Sequence, residues 1–119
     1  MKKITDIKPV ALEDFSLHLR NGWELYGYPM MAGGNSPSPF YQCMVKYADE
    51  EIEGKIVEFI NIGNSFNDLS KDMDSVDISY NAKKHIELGY QPYGFITRIR
   101  NNRHGRYFGY DSLAMVKYG

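Results

Sequence analysis

Gly22-Trp23-Glu24-Leu25-Tyr26-Gly27-Tyr28 and Gly89-Tyr90-Gln91-Pro92-Tyr93-Gly94-Phe95 are one pattern written twice: glycine, aromatic, two variable residues, tyrosine, glycine, aromatic. The match extends both ways. Upstream, His18-Leu19 and His85-Ile86 sit at the same offset. Downstream, Met44-Val45-Lys46-Tyr47 and Met115-Val116-Lys117-Tyr118 are identical, with an offset four residues longer. Four identical residues in register with a matched turn point to tandem duplication of one small module, and a repeat dictates architecture before any local reading.

Each copy reads outward from that turn. Leu12, Phe15, Ser16 and Leu19 recur at helical spacing, predicting a helix over 11–21, with Gly22 as its left-handed cap. Residues 23–32 read as a strand, Gly33 to Pro39 as a loop, and 40–47 as the returning strand. In the second copy Ile78, Ala82, His85 and Ile86 mark the helix and Gly89 its cap. Residues 90–100 and 106–118 form a hairpin around Asn101-Asn102-Arg103-His104-Gly105. Lys55 to Ile62 is rich in β-branched residues and reads as a strand before the second helix. A weaker counterpart spans 2–8. Phe66, Leu69 and Met73 predict a short extra helix in an insertion near 63–77 that the first copy lacks.

The expected fold is α+β: two tandem pseudo-symmetric β-α-β-β units, antiparallel sheet with helices on one face. The first unit covers 1–49 and the second 50–119. A unit of this size buries too little to stand alone, so the two are expected to share one compact domain.

The turn motif resembles an uncharacterised family of small bacterial and phage domains. Its pattern is Leu, Gly-Trp, Tyr-Gly, a hairpin loop, then Tyr-Gln-x-x-Val-Lys. Here those residues are Leu19, Gly22, Trp23, Tyr26, Gly27, Tyr41, Gln42, Val45 and Lys46. The second copy keeps Ile86, Gly89, Tyr93, Gly94, Val116 and Lys117, but carries Tyr90 for the Trp and Leu113 for the Gln. The resemblance implies a bacterial or phage source and brings no activity with it.

Bulk properties narrow the function. A net charge of -1 and a pI near 6.3 argue against a dedicated nucleic-acid binder. One cysteine, Cys43, cannot form an intramolecular disulfide. With no apolar stretch of membrane-spanning length and no leader-like start, the expected place is the cytoplasm.

No Walker loop, dinucleotide fingerprint, HExxH or paired-cysteine motif is present. The expectation is a non-enzyme, without catalytic residues, metal or cofactor. His18 and His85 would ligate metal only if the fold joined them, and otherwise read as helix-surface histidines. Cys43 aligns with Ala114 and reads as a small core residue. Both faces of the first predicted strand are apolar or aromatic, so Trp23, Tyr26, Tyr28, Tyr93 and Gln42 are candidates for a contact surface, with a homo-oligomer or protein partner. Arg98, Arg100 and Arg103, followed by Tyr107 and Tyr110, could hold a small anionic or nucleotide-like ligand. The competing account pairs these arginines with the acid-rich 49–77 segment. Lys46 and Lys117, being paired between copies, read as scaffold charges.

Overall fold

The computed structural model describes residues 1–35, 40–68, 78–104 and 106–119. The fold is α+β and mainly antiparallel sheet. The first half holds β1 (Lys2–Ala11), a 3-10 turn (Leu12–Asp14), α1 (Phe15–Arg20), β2 (Glu24–Leu25), β3 (Met30–Met31), β4 (Gly33–Gly34) and β5 (Phe40–Glu51). The second holds β6 (Ile56–Asp68), α2 (Ser79–Glu87), β7 (Gln91–Pro92), β8 (Thr97–Arg103) and β9 (Arg106–Tyr118).

In one sheet β5 lies between β1 and the short pieces β2 and β3. In the other β9 lies between β6 on one side and β7 and β8 on the other, and β4 extends that sheet beyond β8. Matched positions have matched geometry. Glu24 faces Val45 as Gln91 faces Val116. Ile4 faces Tyr47 as Ile56 faces Tyr118, and a register shift follows each. The Tyr26 amide donates to the Cys43 carbonyl as the Tyr93 amide donates to that of Ala114, both at 2.9 Å.

The helix ends match too. His18 and His85 place Nδ1 2.9 and 2.8 Å from the carbonyls of Asp14 and Asn81. Their rings meet Trp23 and Tyr90 edge-on, each at 5.9 Å. Lys46 and Lys117 reach over those two aromatic rings at 5.0 and 4.6 Å, a cation–π contact on each.

Three expectations are corrected. The continuous strands over 23–32 and 90–100 are each two pieces, because Gly27 and Gly94 take φ +78 and +89 and turn the chain between them. The side-chain alternation inferred for Trp23 to Tyr28 therefore does not hold. The loop expected from Gly33 begins as a strand: Gly33 and Gly34 pair in parallel with Ile99 and Arg100. A Cβ on Gly34 would collide with the Arg100 carbonyl, so glycine is what admits this approach. Third, β6 continues through Phe66 to Asp68, where a helix was expected; Leu69 and Met73 lie outside the described residues.

One buried cluster draws on both halves: Ile4, Ile7, Tyr41, Cys43 and Val45 from the first, and Ile62, Ile78, Ala82, Ile86, Ile96, Leu113 and Met115 from the second. Its closest joint is α2 on β1. There Lys83 reaches Asp6 at 3.9 Å. Among the described residues only β5 flanks β1 as a strand, yet its other edge is occupied. The buried Gln91 side chain accepts from the Ile4 amide at 2.7 Å and donates to the Ile4 carbonyl at 2.9 Å. A primary amide has one acceptor and one donor side, so it imitates one residue of a neighbouring strand. Asn35 does the same for Asn102, at 2.8 and 3.1 Å.

Gln91→Ala strands two buried backbone groups at the joint. It is expected to destabilise the fold by about 2–3 kcal/mol, read as a lower urea midpoint at unchanged slope. An unchanged midpoint would show that the amide pairing contributes nothing.

Candidate functional site

The hairpin β8–β9 places Arg98 directly opposite Asp111. Alternation then turns Arg98 and Arg100 to one face, and that face is inward, while Ile99 and Tyr110 face out. Arg98 grips Asp111 with Nε at 3.1 Å and Nη2 at 3.2 Å. Arg100 grips the same carboxylate with Nη1 at 2.9 Å and Nη2 at 3.2 Å. Side-chain exposure of Arg98, Arg100 and Asp111 is 5%, 3% and 1%. Paired charges this deep stabilise little by themselves but are costly to break, since the survivor stays buried.

Tyr41 of β5 lies beneath this cluster, its ring 5.6 Å from the Arg98 guanidinium. Its hydroxyl donates to the Ile96 carbonyl at 2.7 Å. Burial pushes the Tyr41 phenol up to about 12. The neighbouring Cys43 thiol, 1% exposed, is likewise pushed up to about 11 by burial. Neither group is poised as a nucleophile or base near neutral pH.

Among the ligand candidates, Arg98 and Arg100 are thus joined to each other through Asp111. Tyr110 stands 43% exposed on the opposite face of the hairpin. Arg103 and Tyr107 lie near the hairpin tip, paired with Arg106 and Asn102 in the β8–β9 ladder. One partner acid of both is Asp111 of the same hairpin; the 49–77 segment of the competing account lies partly outside the described residues. The predicted turn, Asn101 to Gly105, centres on 103 and would pair 98 with 108; the observed register, with Arg103 opposite Arg106, brings 111 opposite 98 instead.

Among the contact-surface candidates, Tyr28 and Tyr93 are exposed, at 78% and 51%. Tyr93 meets Phe59 edge-on at 6.1 Å. Trp23 is half-buried between His18 and Lys46. Tyr26 is half-buried against Phe95, its ring 5.8 Å away, and burial raises its pKa. Gln42 is not on the surface: it is 1% exposed, and its amide donates to the carbonyls of Tyr26, Gly27 and Cys43. Its polarity serves the turn at Gly27. Leu113, which stands in its place in the second half, is equally buried.

Between the halves lies an open depression of about 220 Å3, with Lys3, Glu50 and Glu53 on one side and Gly89, Gln91 and Tyr118 on the other. Lys3 is drawn to Glu50 at 3.5 Å. Two acids against one lysine give this groove the wrong sign for an anionic ligand. Among the described residues, no three His, Cys, Asp or Glu side chains are grouped to hold a metal ion. No described helix is long and apolar enough to cross a membrane.

Large apolar side chains stand out on the surface. α1 buries none of its residues, and Leu17 and Leu19 are about half exposed. On β6, Val57 and Phe59 are 59% and 60% exposed. Gln91, Asp111 and these two apolar faces carry most of the notable geometry. The sequence marked Leu19 of α1 by its helical spacing, but Gln91 stood as a variable position, Asp111 carried no signal, and β6 was a strand with no assigned faces.

Comparison with protein-family models, with curated sequences and with solved structures finds no match to this chain.

Asp111→Ala leaves two buried guanidinium groups without their carboxylate and is expected to destabilise by about 3–5 kcal/mol. Arg98→Ala keeps the Arg100 pair and is expected to lose about 1–3 kcal/mol. Equal losses in urea titrations would contradict the shared-carboxylate account. The Cys43 thiol is expected to resist disulfide reagents at pH 8 in the folded protein and to react fully in denaturant. Since burial raises its folded pKa above the unfolded value of 9.0, its contribution to stability is intact below pH 9 and lost as pH climbs through about 11. Cys43→Ala should reduce that alkaline loss.

Proposed function

We propose that the chain is two pseudo-symmetric copies of one β-α-β-β unit, and that it acts as a non-enzymatic assembly module whose exposed apolar faces are its contact surface. The observation that carries the reading is α1, a helix that buries none of its residues, while α2, at the matched position, buries Ala82 and Ile86. Apolar faces left open on a small domain mark contact sites. The exposed pair Phe59 and Tyr93 adds a second such face. The matched strand registers and helix ends support the two-copy reading.

The alternative is a binder of a small anionic or nucleotide-like ligand in the groove between the halves. It needs arginines directed to that groove. Arg98 and Arg100 turn to Asp111 instead, and the groove is lined by Glu50 and Glu53.

In a thermal-shift panel of nucleotides, phosphates and organic acids, no ligand-dependent stabilisation is expected. Sedimentation is expected to show association, with itself or with a protein from its source, that Tyr93→Ser weakens without altering the fold. A reproducible shift or turnover with any panel member would overturn the reading.

A further inference from the structure

Among the described residues the joint between α2 and β1 has no reciprocal. Ile4 and Ile7 of β1, in one buried cluster with Ile78 and with Ala82 and Ile86 of α2, are 4% and 0% exposed. The matched registers put Ile56 and Phe59 of β6 where Ile4 and Ile7 stand, and these are 43% and 60% exposed. The matched helices put Leu19 where Ile86 stands. Leu19 is 45% exposed, Ile86 5%. Among the described residues, α1 makes no contact with β6 comparable to that of α2 with β1.

A two-fold axis between the halves would make both contacts at once. One made and one unmade means that the halves join head to tail. Such a contact leaves one helix surface and one strand surface unused, and it is satisfied by cyclic closure. The two unused surfaces are both on this chain, and the joint already made shows how they fit.

We propose that a second copy of this chain covers them: α1 of each copy packs on β6 of the other, so that two chains close a ring of four units. This rests on the two-copy assembly reading and names its partner. The new joint differs from the old in one respect. Glu24 stands in the place of Gln91. A carboxylate accepts from the Ile56 amide but cannot donate to its carbonyl, so the joint between chains is the weaker one.

The full chain is expected to show the mass of two chains by light scattering at micromolar concentration. Leu19→Glu and Phe59→Lys, both at exposed positions, should each give a monomer with unchanged circular dichroism. Mixing the two should restore the dimer, because one joint is then unaltered and the other pairs Glu with Lys. Glu24→Gln supplies the missing donor and should tighten the dimer by about fivefold or more. A monomeric wild-type chain, a dimer that survives both variants, or a mixture that stays monomeric would overturn the proposal. Should either variant lose its fold, Leu19→Cys mixed with Phe59→Cys replaces it. An interchain disulfide is then expected, the buried Cys43 taking no part, and its absence overturns the proposal equally. A monomer would leave the assembly reading to another protein, whereas a ligand-dependent thermal shift would defeat that reading whatever the mass.

Discussion

The edge of β1 is the constraint on which the rest of the structure depends. A strand with one neighbour has backbone amides and carbonyls left over on its other side, and inside a core these must be satisfied. Here a side chain, Gln91, stands in for a strand at Ile4. That choice leaves room above the edge for α2 to lie on β1, and the buried cluster then runs through both halves. The second joint between halves, the parallel pairing of Gly33 and Gly34 with β8, works by the opposite means: side chains are removed so that backbones meet. Below it, Asp111 holds Arg98 and Arg100 together over Tyr41, which ties the hairpin β8–β9 to β5.

What the sequence made legible follows from what repetition can and cannot encode. The turn motifs, both helix positions and the strands β5, β6 and β9 were readable, because helix caps, β-branched runs and identical strands are local signals. The break at Gly27 was written in the motif itself, but a glycine within an apolar stretch does not announce the sign of φ. The short β4 had no apolar signal, since glycine pairs there by lacking a side chain. Burial was the harder matter. Leu19 and Ile86 are equally apolar and occupy matched places, yet one is exposed and one buried. Exposure is decided by which surface comes to lie against which, and that is tertiary information.

The candidate site shows the same division. Two apart in a strand, Arg98 and Arg100 share one face, but the direction of that face depends on Asp111 lying across the hairpin. Gln42 was selected for its place in a motif, and its amide serves the turn that the motif builds. Motif membership marked residues that matter to the chain's shape, which is a different property from contact with a partner.

The cover of β1 also sets an order of events during synthesis. Residues 2–11 leave the ribosome well before residues 79–91, which supply the helix and the amide that cover them. Until then β1 and β5 can pair, but Ile4 and Ile7 face water. The first half therefore waits in a partly finished state, and its final burial is a contact between residues 87 positions apart. Contacts of such long sequence separation slow folding and prolong the exposure of apolar surface. For this chain the vulnerable interval is the translation of its own second half, and the surface left uncovered through it is that of β1.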